Sequence, residues 1–196
     1  MSTNYRPLIL GLGGTTRPSS SSERALRLAL ASAEAAGCEV ALLTGLHLQL
    51  PIYDPSIPDR TAEARKLIEL LRRCNGLIIA SPGYHGSMSG MMKNALDYIE
   101  DMRDDALPYL EGRAVGCIAC AAGWQAIGTT ITTMRSVVHA LRGWPAPISV
   151  GLNTASPLLD EAGRPVDSPG LTQLDLLACQ VVEFAQMRQN FLRRVA

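Results

Sequence analysis

Two hydrophobic patterns alternate along the whole chain, and that alternation restricts the fold more than any other feature. Apolar runs fall at 8–12, 39–44, 76–82, 114–121 and 147–152, and helical spacing fills 20–36, 61–75, 89–100, 126–143 and 169–193. Runs such as Leu77-Ile78-Ile79-Ala80 and Ala114-Val115-Gly116-Cys117-Ile118-Ala119 have no polar face, so they belong to strands covered on both sides. The helical stretches are amphipathic. Ala64, Leu67, Ile68, Leu71 and Cys74 share one face after the cap candidate Thr61, and Ile127, Ile131, Met134, Val138 and Leu141 share another before Trp144-Pro145. Five strand–helix repeats predict an α/β fold, a doubly wound five-stranded parallel sheet with helices on both faces.

The 196 residues, 47% apolar and 18% charged, suit a single domain over 1–196. Eighteen Lys and Arg balance eighteen Asp and Glu, and no long basic block occurs, which argues against a nucleic-acid partner. No apolar run reaches the roughly 18 residues of a membrane span, the start MSTNYRPLILGLGG lacks the pattern of a leader, and five cysteines without framework spacing suit a reducing compartment. A cytoplasmic protein with no membrane partner is expected. Cys117 and Cys120 lie in a strand at an odd separation, which sends the thiols to opposite faces and argues against a redox pair. His47, His85 and His139 share no ligand spacing with the cysteines, so no metal site is expected.

In a doubly wound sheet, ligands sit beyond the carboxyl ends of the strands, here near residues 12, 44, 82, 121 and 152. The first of these loops reads GLGGTTRPSSSSERAL, residues 11–26. Glycines, a crowd of hydroxyls, Arg17 and the start of a helix together suit a phosphate, whereas a serine-capped solvated turn is the plainer reading. Thr16 stands where a dinucleotide fingerprint needs its third glycine, and Leu42-Leu43-Thr44-Gly45 offers no acid for a ribose. No Gly-Lys-Ser/Thr triplet occurs, and no cysteine precedes Cys38, so the loop is expected to hold a phosphate and not to cleave one.

The third strand leads into Ser81-Pro82-Gly83-Tyr84-His85-Gly86-Ser87, in which glycines flank an aromatic ring and an imidazole. It suits a flat ligand or a plain tight turn. Cys120-Ala121-Ala122-Gly123-Trp124 follows the fourth strand, with small residues that admit a planar ring and an indole that borders the ring or packs beneath the next helix. The stripe Met88, Met91, Met92, Ala95, Leu96, Ile99 suits core or a subunit interface. Loop 45–60 is long for its place and suits an irregular strand, a subunit contact or a lid, while 101–113 reads as a solvated connection and 153–168 as mobile.

GGTTRPSSSSERAL, then SPGYHGSMSGMMKNALDYI, then the small-residue loop resemble the NADPH-dependent FMN reductase family over residues 8 to about 152. These are flavoproteins of flavodoxin-like fold. The family's Pro-x-Tyr-Asn-Gly-Ser and Lys-Asn-Ala-x-Asp patterns correspond here to Pro82-Gly83-Tyr84-His85-Gly86-Ser87 and Lys93-Asn94-Ala95-Leu96-Asp97, with His85 in place of asparagine. The resemblance implies that Thr15, Arg17, Ser20 and Ser22 meet the FMN phosphate. It sets Pro82, Gly83, Tyr84, His85, Gly86 and Ser87 against the flavin ring, with Cys120, Ala121, Ala122, Gly123 and Trp124 along another side. It further implies hydride transfer from NADPH (or NADH) to FMN and on to a small-molecule acceptor: free flavin, a quinone, an azo compound or a metal ion. No side chain acts as acid or base in that reaction. A homodimer or homotetramer is expected. The alternative is a flavodoxin-type electron-transfer protein that binds FMN without turning over pyridine nucleotide.

Overall fold

The structure, a computed structural model, describes residues 6–155 and 169–195. The expected mobility of 153–168 therefore falls almost wholly outside the described residues. The chain runs β1 (Leu8–Gly13), α1 (Ser21–Ala35), β2 (Glu39–Thr44), a 3-10 turn (Gly45–Leu48), α2 (Ala62–Arg73), β3 (Gly76–Tyr84) and β4 (Ser87–Met88). Then come α3 (Gly90–Asp97) with a 3-10 continuation (Tyr98–Met102), β5 (Ala114–Ala121), α4 (Trp124–Ala140), β6 (Trp144–Pro145), β7 (Val150–Asn153) and α5 (Pro169–Val195). No helix among the described residues is long and apolar enough to cross a membrane.

The sheet is ordered β2-β1-β3-β5-β6, with β7 also on β5 and β4 on β3, and every pairing except β3 with β4 is parallel. Side chains alternate across each strand, so two cores form. Leu10, Leu12, Leu77, Ile79 and Cys117 pack with α2, α3 and α4 on one face, and Ile9, Ile78, Ile118 and Cys120 pack with α1 and α5 on the other. Cys117 and Cys120 thus point to opposite sides, as their odd separation requires. The methionine stripe proves to be core. Met88, Met92, Ala95, Leu96 and Ile99 are buried, and Met91 is partly buried against them.

Seven strands stand where five were expected, for two local reasons. Tyr84 pairs with Ser87 across a two-residue turn, which adds β4 as a hairpin on β3. The fifth strand, expected at 147–152, is broken in two. Ala114 lies opposite Trp144 but Ile118 lies opposite Val150, so the edge strand spends two more residues than β5 over the same length. Such a bulge breaks the ladder, and Pro147 has no N–H to offer it. Both covering helices repair the break. Arg135 donates to Ala146 O (2.6 Å) and Ser149 Oγ (3.1 Å), and the Ile148 N–H donates to Gln180 Oε1 (3.0 Å).

Loop 45–60 is strapped down along α3. Asn94 accepts from the Tyr53 N–H (2.9 Å) and donates to Pro51 O (2.9 Å), and the Tyr98 hydroxyl donates to Pro51 O (3.0 Å). Arg60 makes two 2.7 Å bonds to Asp101, which also accepts from the Tyr53 hydroxyl at 3.0 Å. The Arg60 bond, aided by Tyr53, holds the Asp101 carboxyl below its usual range. Asp101 is therefore a fastening point, contrary to the solvated connection expected at 101–113. Its partners lie 41 and 48 residues away, beyond the reach of any local pattern.

Candidate functional site

The chain leaves β1 toward β2 on one side and β3 on the other, so the switch point of this sheet lies at the carboxyl ends of β1 and β3. A cleft of about 320 Å³ opens there, and four chain segments line it.

The first segment runs from Thr15 to Ser22, and Thr15, Thr16, Arg17, Ser20, Ser21 and Ser22 face the cleft. Ser20 caps α1, its Oγ accepting the Glu23 N–H (3.2 Å) and lying 3.2 Å from Ser22 Oγ. The N–H groups of Ser21 and Ser22, at the first two helical positions, have no acceptor within the helix. Thr15, Ser20 and Ser22 are buried, whereas Arg17 is exposed and its guanidinium meets no carboxylate among the described residues. Among the described residues, none that lines the cleft is acidic. The segment therefore offers donors, hydroxyls and one positive charge, an arrangement suited to an anion.

The second segment is Pro82-Gly83-Tyr84, where β3 runs beyond the sheet. Gly83 is pressed against α4, since a Cβ there would sit 2.8 Å from Thr130 Oγ1 and 3.3 Å from Ala126 O. The third segment is Cys120-Ala121-Ala122, and the fourth is Thr154, its N–H donating to Ala121 O at 3.0 Å. Burial pushes the Cys120 thiol up to about 12, so it meets the cleft protonated and neutral.

Of the residues expected around a flat ligand, His85 and Gly86 in the β3–β4 turn and Ser87 at the start of β4 lie outside the lining. Gly123 and Trp124 also lie outside it, where Gly123 caps α4 and Trp124 opens the helix, 67% exposed. Thr16, Ser21 and Thr154 line the cleft without having been singled out from sequence. Ser21 belongs there through its place at the head of α1, which a serine-capped helix start does signal. Thr154 arrives from β7, and nothing near it in sequence marks it. Among the described residues no cluster of His, Cys, Asp and Glu is arranged to hold a metal.

The chain is 28% identical over 122 residues to an NADPH azoreductase of Bacillus sp. (strain OY1-2), an alignment that covers 60% of this chain and 65% of that protein. It is likewise 28% identical over 132 residues to the FMN-dependent NADPH-azoreductase of Staphylococcus aureus (strain USA300), covering 66% of each. The chain thus spans just under two thirds of the length of these relatives. Among solved structures, RosB with bound 8-demethyl-8-formylriboflavin-5'-phosphate superposes with a TM-score of 0.74 at 17% identity, covering 94% of this chain and 81% of that one. FerB, an NAD(P)H:(acceptor) oxidoreductase from Paracoccus denitrificans, gives a TM-score of 0.67 at 17% identity, covering 93% and 98%. At such identities these likenesses speak for the flavodoxin-like fold alone. The family described as NADPH-dependent FMN reductase matches residues 7–156. That match runs from just before β1 to just past β7 and takes in every loop that builds the cleft: the chain belongs to the NADPH-dependent FMN reductase family.

Proposed function

We propose that the chain is an FMN-dependent NAD(P)H oxidoreductase in which NADPH (or NADH) and a small-molecule acceptor use one cleft in turn. The observation that carries this reading is the division of the cleft. One half holds helix N–H groups without a partner in the helix, buried hydroxyls and Arg17, which makes no ion pair among the described residues; the other is walled by Pro82, Gly83, Tyr84, Cys120, Ala121 and Ala122, of which Gly83, Ala121 and Ala122 carry nothing beyond a methyl. A phosphate suits the first half and a flat ring the second, so the residues present fit FMN, with Thr15, Arg17, Ser20 and Ser22 toward the phosphate. When bound, FMN supplies the redox chemistry, taking hydride from the nicotinamide and passing two electrons to the acceptor.

The chain's own part is to bind, orient and leave one face open. Tyr84, the last residue of β3, and Trp124, three residues past β5, are 57% and 67% exposed, and each can stack a nicotinamide or a planar acceptor. Azo compounds, the substrates named for the two relatives, belong to that planar class, as do free flavins and quinones. No side chain of the cleft is assigned as acid or base. We also propose a cytoplasmic homodimer or homotetramer, the oligomer because Ile52 in loop 45–60, Tyr84 at the end of β3 and Trp124 at the start of α4 leave apolar surface exposed.

The test is the visible spectrum of the purified protein, with FMN added where none co-purifies, before and after anaerobic NADPH. A flavin band that bleaches supports the reading, whereas failure to bind FMN overturns it. Arg17→Ala is expected to weaken FMN about ten- to a hundredfold in calorimetric titration, the loss of one charge-assisted contact of roughly 1.5–3 kcal/mol.

A further inference from the structure

We infer that Glu23 and Arg27 form a shaping and screening pair for the anion half of the cleft, with Arg27 present to neutralise a carboxylate that the loop needs and a phosphate would resent. The inference rests on the FMN reading above. Glu23 directly follows the cleft-lining serines, and its side chain is only 11% exposed. In an ordinary capping box the acid at this position returns to the cap residue's own N–H. Here Glu23 Oε2 reaches one residue further, accepting the Ser19 N–H at 3.1 Å. Ser19 has φ of 54°, in the left-handed region that serine seldom enters, so the carboxylate fixes the path of the chain between Thr15 and Ser20. The N–H groups of Ser21 and Ser22 stay open as a result.

That solution sets a negative charge at the very helix end where an anion is to bind. Arg27 answers it by donating through Nε (3.0 Å) and Nη2 (2.7 Å) to Oε1 alone, which leaves Oε2 to Ser19. An exposed i,i+4 pair adds little to helix stability. This pair differs because, although Arg27 is 58% exposed, its acid is buried beside the cleft, where the carboxylate's charge acts on a bound anion with less screening than at the surface. Arg27 is thus a positioning residue that tells a phosphorylated ligand from its unphosphorylated counterpart.

The full chain, freed of flavin, is titrated with FMN and with riboflavin, which carries the same ring and no phosphate. R27Q is expected to weaken FMN about tenfold at low ionic strength and riboflavin by less than about twofold, with the FMN loss shrinking in 0.5 M salt. E23Q added to R27Q restores FMN affinity, because glutamine still accepts from Ser19 without the charge. R24Q is the control. Arg24 neighbours Glu23, makes no ion pair among the described residues, and removes the same charge when replaced. Equal FMN losses in R24Q and R27Q, equal losses of FMN and riboflavin in R27Q, or no rescue by E23Q would each overturn the inference while leaving FMN binding intact. A wild-type chain that binds neither flavin overturns the inference together with the reading beneath it.

Discussion

His85 adopts φ of 51° and the following Gly86 φ of 83°, the two positive angles that a two-residue hairpin turn demands between Tyr84 and Ser87. Asparagine enters that region more readily than histidine, because its short amide bonds to the nearby backbone. His85→Asn is therefore expected to stabilise the protein by about 0.5–1 kcal/mol in urea unfolding while leaving FMN affinity unchanged. An unchanged midpoint would mean that the turn is fixed by its glycine alone. The turn was legible in the chain once Asn-Gly is taken as the usual pair, with His-Gly as its costlier form. That Thr15 to Ser22 would line the cleft was legible for a simpler reason, since its hydroxyls and helix-start N–H groups are consecutive in sequence. Thr154 was not, because a residue that joins a site only through the sheet carries no local mark.

The two halves of the cleft are tied by serine hydroxyls that no sequence spacing announces. Ser89 Oγ donates to Gly14 O (2.6 Å), 75 residues away, and caps α3 by accepting the Met92 N–H (3.1 Å). Its own N–H donates to Ser81 Oγ (2.9 Å), which in turn donates to Pro82 O (2.9 Å). Because the carbonyl and the next N–H of a trans peptide point opposite ways, Ser81 also fixes where the Gly83 N–H points. The loop after β1, the loop after β3 and the start of α3 therefore move as one body. Ser89→Ala removes a cap and leaves a buried carbonyl without its donor, a loss of about 2 kcal/mol. FMN should weaken with it. Denaturation paired with flavin titration checks both, and a stability loss without an affinity loss would show that α3 alone depends on Ser89. The same long-range bonding explains why the loop strap at Asp101 and the bulge before β7 escaped a reading based on local pattern.

The architecture itself was legible because the central strands β1, β3 and β5 are buried on both faces over almost all of their paired lengths, which leaves a doubly wound sheet as the natural packing. That burial also fixes how the protein meets alkali. Desolvation raises the thiols of Cys74 to about 11 and of Cys117 and Cys120 to about 12, from 9.0. The folded chain thus keeps protons that the unfolded chain releases, so this stabilisation is complete below about pH 9 and is lost as pH rises toward 11–12. Each thiol steepens the decline by at most about 1.4 kcal/mol per pH unit. Thermal melts between pH 8 and 11 should fall, and replacing Cys117 by alanine should flatten the fall even where it lowers the overall stability; an unaltered slope would contradict the assignment. The same buried thiols bear on wear. On the proposed function, a reduced flavin exposed to air yields peroxide at the cleft, and the sulfur that lines it, Cys120, is held in the form that peroxide attacks least. The exposed Cys179 lies on α5, away from the lining, so oxidative ageing should begin on the outside of the molecule and spare the residues that do its work.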